Sequence, residues 1–416
     1  MHFKINWTLA ENIISLLSVK GLQYLLSFIT FPYLVRCLNV DGFGQLSFVI
    51  GVIQYFLLFS NFGFDLSAPK RIAQHDHSNE CGYHFSSIMM AKTFILLILT
   101  CIFLLFVFVL KHIGSTNTLL YCAVYLNVIG TALFPIWFFQ GIQKMRYITL
   151  VSTIGKVVSV VGIFTLVTGP EDILWAGLFQ SSGNLVAAIF SWIIIFSEYR
   201  DVFVRVSWQD IKNAILESVP YFGSMVAINI YTISTTVFLG ILTSDYWVGI
   251  YSSANRIIDA LRGGLSPIID SIYPHVNKVA SQSKDAALKL LKKTFIAMVS
   301  LTALLSASVF VFSPFLIELV LGSGYEDAII VLKILSVIPV ITIASNIYGL
   351  FGMLAFGYEK QFGKVLIHSA ILDLCVVFPF IYLWQANGAA LTMACIEAYV
   401  LFRFWHFVTN SDIRFI

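Results

Sequence analysis

From Leu9 to Val408 the sequence is an almost unbroken succession of apolar stretches, each about twenty residues long. A bilayer hydrocarbon core about 30 Å thick is crossed by roughly 20 apolar residues in an α-helix. Inside it, backbone N–H and C=O groups have no water to bond, so a chain of this kind must satisfy them within helices. Windows of the required size fall near residues 11–36, 43–66, 86–110, 118–139, 147–168, 173–197, 213–242, 247–272, 293–318, 327–353, 363–384 and 388–408. The spacers between them are too short to hold a water-soluble domain. Composition agrees: 11% of residues are charged, against roughly 25% in soluble domains. The expected fold class is an all-α membrane protein of about twelve transmembrane helices.

The polar spacers supply a test that hydropathy does not use. With the N-terminus assigned to the cytoplasm, alternate spacers on that side hold 17 Lys and Arg residues, and the opposite side holds 2, Arg36 and Lys111. Such asymmetry through every loop is the positive-inside pattern for twelve helices with both ends inside. One helix too many in the middle would scramble it. The first window keeps Lys20 and reads as an uncleaved helix rather than a signal peptide.

Short segments also echo across the chain. Asp41-Gly-Phe-Gly-Gln-Leu-Ser47 precedes the second window, and Asp245-Tyr-Trp-Val-Gly-Ile-Tyr-Ser252 opens the eighth. Pro69 to Ala73 parallels Pro274 to Ala280, and Gly141 to Lys144 parallels Gly357 to Lys360. Three matches in order suggest two six-helix lobes, 1–197 and 213–416, joined by a cytoplasmic linker at 198–212. Because six is even, the lobes share one orientation, a parallel repeat of the kind found in transporters.

Ionisable groups in hydrocarbon cost about 2.5–3.5 kcal/mol each on the insertion scale and usually face a bundle interior or wet cavity. Six cations lie inside the expected spans: Lys20, Lys92, Lys156, Arg256, Arg262 and Lys333. The eighth window is the richest. At about 100° per residue, Arg256, Asp259, Arg262 and Asp270 fall in one arc of about 120°. That arc cannot face lipid. Lys92 and Asp65, near window ends, are expected to snorkel to the interface. The deep set is then Lys20, Lys156, Arg256, Arg262 and Lys333 against the carboxylates Asp259, Asp373 and Glu397. A cationic interior suits a phosphate or pyrophosphate substrate, which Arg grips with a bidentate fork and Lys with a compact charge. The alternative for Asp259, three residues from both Arg256 and Arg262, is an ion pair that only holds helices together. Asp373 and Glu397 are candidates for H+ or Na+ coupling, since burial raises a carboxylate toward neutrality. Satisfied buried acids explain them equally well.

Other chemistry is absent from the sequence. No Gly-rich phosphate loop, HExxH, GxSxG or Asp-rich metal motif occurs, which argues against an enzyme. His75, His77, Cys81 and His84 cluster but lack structural zinc spacing and read as a solvated loop, so neither metal nor other cofactor is expected. No Lys/Arg run interleaves with aromatics, so nucleic acid is not an expected partner.

Three motifs carry a family resemblance. Pro32-Tyr-Leu-Val-Arg36, with Leu38 and Gly42-Phe-Gly44, resembles the first-helix signature of bacterial polysaccharide transporters. So do Asn61-Phe-Gly-Phe64 and Phe134-Pro-Ile-Trp-Phe-Phe-Gln-Gly141 with Lys144-Met145. The whole chain resembles Wzx-type O-antigen flippases of the multidrug/oligosaccharidyl-lipid/polysaccharide superfamily. The resemblance implies two six-helix lobes around a cationic cavity in the bacterial inner membrane. It implies alternating access that carries an undecaprenyl-pyrophosphate-linked oligosaccharide to the periplasmic leaflet, with proton or sodium coupling. Polysaccharide polymerase and chain-length regulator proteins are candidate partners beside the lipid bilayer. Carried onto this chain, Arg36 and the charged arc would meet pyrophosphate or sugar. The chain departs from many relatives at Gln143, where they carry Glu.

Two rival readings have distinct signatures. A drug/cation antiporter of the same superfamily calls for a carboxylate-rich cavity, the opposite of the balance here. A polysaccharide polymerase calls for a large periplasmic loop with clustered Arg, which this sequence lacks.

Overall fold

A computed structural model describes the backbone of residues 7–74, 80–114 and 117–415, and side chains from residue 26 onward except 224, 227, 228, 230–232 and 270 within helices. Every regular element among these residues is helical. The helices are α1 (Trp7–Asn61), α2 (Phe64–Gln74), α3 (Glu80–His112), α4 (Thr118–Leu133), α5 (Ile136–Gly141), α6 (Met145–Leu166), α7 (Ile173–Glu198) and α8 (Trp208–Leu242). They continue with α9 (Asp245–Gln282), α10 (Lys284–Val311), α11 (Ser313–Val320), α12 (Ala328–Leu335), α13 (Ile338–Asn346) and α14 (Glu359–Thr409). Eight described helical runs are long and apolar enough to cross a membrane. Two of these, Leu26–Gln74 and Glu359–Thr409, extend over 49 and 51 residues, more than twice a bilayer's need. Each long run breaks internally. Asn39 (φ 56°, ψ 179°) interrupts α1, and Gln385 (φ 51°, ψ −125°) interrupts α14. Both are polar residues between apolar windows, where a change of direction exposes backbone groups to water rather than to lipid.

The chain divides into two compact units. One comprises Met1–Leu38 with Val49–Val226, and the other Asn39–Phe48 with Ala227–Ile416. In the first, α7 packs along α4 and α6, and α2 packs on α5. Glycines permit the closest crossings: a Cβ on Gly130 would lie 2.4 Å from the Leu185 nitrogen, and one on Gly155 would lie 2.1 Å from the Gly183 carbonyl oxygen. Below them sits an aromatic core in which Phe64, Trp137, Phe138 and Phe139 are wholly buried. Pro135 cannot continue the α4 hydrogen-bond ladder, so the chain turns there, and the aromatic run enters this core instead of prolonging the span.

In the second unit α12 packs on α9, and α14 packs on α12 and α13. The two repeat-related segments seen in the sequence cross each other here. A Cβ on Gly44 would lie 1.8 Å from the Asp245 carbonyl oxygen, and one on Gly249 would lie 2.2 Å from that of Val40. Each segment's glycine thus receives the other's backbone. The window at 327–353 is not one continuous α-helix. Pro339 opens α13 after a break, and residues Ile347–Met353 form a wide π-helical turn before a 3₁₀ turn at Leu354–Phe356.

Candidate functional site

The charged arc of the eighth window lies on α9, and its centre is Arg262. The guanidinium Nη1 is 3.8 Å from Asp259 Oδ1, one turn back on the same helix. Its Nη2 is 3.9 Å from Glu397 Oε1, which projects from the second half of α14. Both separations are beyond hydrogen-bond range. They are charge contacts without directed bonds. Asp259 is steadied instead by Asn255, whose Nδ2 donates to Asp259 Oδ2 at 3.1 Å. A guanidinium carries five N–H donors in a fixed fork, and those of Arg262 make no hydrogen bond to any described residue. Its side chain is 28% exposed, against 9% for Glu397. Arg256, one and a half turns before it, is exposed. The arrangement is an oriented, partly solvated fork held near two carboxylates with its donors still to spare.

A second acidic group lies in the first half of α14. Asp373 is 1% exposed, and its Oδ2 accepts no hydrogen bond from a described residue. A water, a proton or a cation can settle such an oxygen. Nearby in the unit, the buried Tyr251 hydroxyl donates to Met393 Sδ at 3.5 Å, tying α9 to α14.

The other expected site residues are dispersed. Lys333 on α12 places Nζ 5.7 Å from the centre of the Phe310 ring, a cation–π contact that accounts for its charge. Arg36, three residues before the break in α1, is exposed, and Lys156 on α6 is half-buried; both belong to the first unit. Lys20 lies on α1, but its side chain falls outside the described residues, as do Asp270, His75 and His77. Within the second unit the structure joins Asp259, Arg262 and Glu397.

One expectation is overturned. Lys92 does not snorkel; it is 1% exposed. The cause is that α3 begins at Glu80, so Lys92 is its thirteenth residue rather than one near an end. Residues Cys81, Phe85, Ile88, Met89 and Ala91 ahead of it belong to the first unit's aromatic core, and the lysine stem is drawn in with them.

With this geometry described, comparison with known proteins decides the family. The family described as polysaccharide biosynthesis protein matches residues 9–279. A protein of Escherichia coli (strain K12) named "Putative O-antigen transporter" is 32% identical over 407 residues, 98% of each chain. This chain belongs to the polysaccharide biosynthesis protein family. A Shigella dysenteriae protein of the same name is 28% identical, covering 94% of this chain and 98% of its own length. The fold is similar to that of solved transporters: the lipid II flippase MurJ in an inward closed conformation superposes with TM-score 0.71 at 13% identity, over 94% of this chain and 87% of its own. A multidrug resistance MATE family transporter in an inward-facing conformation gives TM-score 0.72 at 14% identity, over 94% and 96%. This family member is thus a multi-pass protein of the bacterial inner membrane.

The apolar motif residues Leu34, Val35, Leu38, Phe64 and Trp137 to Phe139 are buried packing residues, whereas Arg36 and Lys144 of the motifs are exposed and the fork at Arg262 lies outside the motifs. Sequence reading missed two kinds of partner. Asn255 was visible as an amide one turn before Asp259. Glu397, 135 positions beyond Arg262, could be paired with it only through the fold.

Proposed function

We propose that this chain is a flippase that carries an undecaprenyl-pyrophosphate-linked O-antigen repeat unit from the cytoplasmic to the periplasmic leaflet by alternating access of two six-helix lobes. The observation that carries the reading is the Arg262 fork: a guanidinium within α9, charge-balanced at long range yet with no directed bond consumed. A diphosphate supplies what that fork lacks, acceptors that match it in bidentate geometry. Arg256 adds a second exposed guanidinium on the same arc. Arg36, Lys20, Lys156 and Lys333 are assigned to the same anionic cargo along its route. Asp373, Glu397 and Asp259 are the coupling candidates: Asp373 carries a buried carboxylate oxygen without a described bond, and Glu397 and Asp259 face Arg262.

The names of the full-length relatives support transport of O-antigen, and the MurJ-like fold supports lipid-linked cargo. The test is a clean deletion in a strain with no second flippase. Lipid-linked repeat units should accumulate on the cytoplasmic leaflet, and surface polysaccharide should vanish and return with the plasmid-borne gene. Normal surface polymer in the deletion strain refutes the proposal. Increased drug sensitivity in that strain, with polymer intact, would favour the antiporter reading instead.

A further inference from the structure

A second polar site lies in the first unit, on facing sides of α4 and α7. Asn184 sits near the middle of α7, and its Nδ2 donates to Asn127 Oδ1 at 2.8 Å and to Thr131 Oγ1 at 3.1 Å, both on α4. Asn127 and Thr131 are four residues apart, as are Gln180 and Asn184, so each pair forms one stripe along its helix. The Gln180 side-chain oxygen is buried and accepts no hydrogen bond from a described residue.

Depth gives the cluster its meaning. Asn184 is the twelfth of 26 residues in α7, and the span containing Asn127 runs over Thr118–Gly141. Both amides therefore stand near the centre of the hydrocarbon layer. Asn184 is nevertheless exposed in the structure. An exposed amide at that depth is strongly disfavoured against lipid tails. This face of α4 and α7 consequently meets water or a polar ligand.

The chemistry of the face selects the ligand. The ladder consumes both N–H groups of Asn184. What remains unbonded among described residues is an acceptor on Asn184, the Gln180 amide with its oxygen and two N–H groups, the two N–H donors of Asn127 and the hydroxyl hydrogen of Thr131. The set is neutral and alternates donors with acceptors. An anion would be repelled by the two oxygens, and an inorganic cation would find no carboxylate. Hydroxyl groups, which donate and accept at once, fit both halves.

We propose that Asn127, Thr131, Gln180 and Asn184 form a carbohydrate subsite that hydrogen-bonds ring hydroxyls of the cargo's sugar portion. This rests on the flippase reading for the identity of the cargo and deepens it by separating sugar recognition from the diphosphate fork.

The discriminating variant is the double substitution Asn127→Leu with Asn184→Leu. Replacing both partners of the Asn184–Asn127 hydrogen bond by apolar groups of similar shape leaves no partner unpaired between them and is close to neutral for packing. A ladder that only clamps α4 to α7 therefore predicts unchanged behaviour. The full chain, purified in detergent, is titrated by calorimetry with the free reducing oligosaccharide released by mild acid from the host's own lipid-linked repeat. A parallel titration uses undecaprenyl phosphate without sugar. The expected result is a fall of about tenfold or more in oligosaccharide affinity, the worth of one hydrogen bond, with undecaprenyl phosphate binding and thermal midpoint unchanged. Thr131→Val and Gln180→Leu, tested singly, serve if the double variant does not fold, and should each weaken the sugar titration alone.

Unchanged oligosaccharide affinity in the variants overturns the subsite, as does absence of oligosaccharide binding by the wild type. An equal fall in both titrations, or a change in oligomeric mass, overturns it as well, the latter in favour of a contact with another protein chain. Complementation by the wild-type gene is scored separately: its failure removes the flippase reading. A wild type that complements beside a double variant that binds and complements equally removes only the subsite.

Discussion

Substitution of Arg262 by Met separates the two roles a charged cluster can play. At 3.9 Å and an effective dielectric near 20, the Arg262–Glu397 attraction is about 4 kcal/mol. Asp259, with a side chain 49% exposed, adds little, about 1 kcal/mol at most. Removing Arg262 leaves Glu397 buried without its counter-charge, a loss of about 3–5 kcal/mol when one partner of a buried pair is deleted. The carboxyl can escape by taking a proton. Against an ordinary glutamate value near 4.3, neutralisation at pH 7 costs about 4 kcal/mol, so the loss is capped there. Arg262→Met should therefore lower the thermal midpoint and the amount of protein in the membrane. Adding Glu397→Gln removes the orphaned charge and should restore both.

Transport separates the readings. If Arg262 grips diphosphate, the double variant folds but lacks a charged hydrogen bond worth about 1.5–3 kcal/mol, a decrease of roughly 10- to 150-fold. If Arg262 only braces α9 against α14, the double variant transports as well as Glu397→Gln alone, which isolates any coupling role of Glu397. The assay is the initial rate at which surface polysaccharide reappears after induction in a flippase-deletion strain, normalised to membrane protein by immunoblot. A double variant with wild-type stability and wild-type rate refutes the substrate role.

Two further outcomes follow from the second unit. Gly249→Ala and Gly44→Ala place a methyl 2.2 and 1.8 Å from opposing carbonyl oxygens and should each lower the thermal midpoint by the equivalent of about 1–3 kcal/mol or more, whereas Gly264→Ala, with open space around it, should be neutral or slightly stabilising. At the C-terminal end, the Lys284 ammonium and the Tyr358 hydroxyl (2.8 Å) hydrogen-bond Asp412 and hold its carboxyl below the usual range. A depressed carboxyl contributes stability above its ordinary value and loses it as pH falls through the folded one. Asp412→Asn should thus lower the thermal midpoint at pH 7, by a difference that shrinks as pH falls below the ordinary aspartate value near 3.9; a difference that stays constant as pH falls counts against the contact.

How much of this was legible follows from what each feature depends on. Helix placement depends on local hydropathy, so the windows at 147–168 and 173–197 lie within a few residues of α6 at Met145–Leu166 and α7 at Ile173–Glu198. Burial inside a protein is not local. The segment from Glu80 to Ser87 contains Gly82, His84, Ser86 and Ser87 and looked too polar to extend a span. It is nevertheless helical, and its Ser86 docks on the 200–204 segment, donating to the Val202 carbonyl and accepting from the Val204 N–H. That contact bridges more than a hundred residues, and no pattern within α3 announces it. The same divide runs through the site. The spacing of Asp259 and Arg262 is a property of one helix and could be read directly. Glu397 and the Asn127–Asn184 ladder are pairings between helices, and no pattern within either helix announces its partner.

The motifs that carry the resemblance gain a physical meaning from this. Trp137, Phe138 and Phe139 are fully buried, a Cβ on Gly141 would collide with Ile72, and Gly44 meets a backbone carbonyl. These residues build helix crossings and an aromatic core. Interiors packed to crystal-like density tolerate little change of volume, so such residues identify the scaffold reliably and say nothing about what it carries. On the proposed reading, cargo recognition resides in polar groups that packing does not require, among them the Arg262 fork, whose charge contacts are too long for hydrogen bonds, and the amide ladder, whose exposed member stands where lipid would reject it. If that division holds, exchanging residues 127, 131, 180 and 184 for those of a relative with a different repeat unit should move sugar preference without moving the fold. Exchanging the Phe134–Gly141 run should disturb folding and leave preference alone.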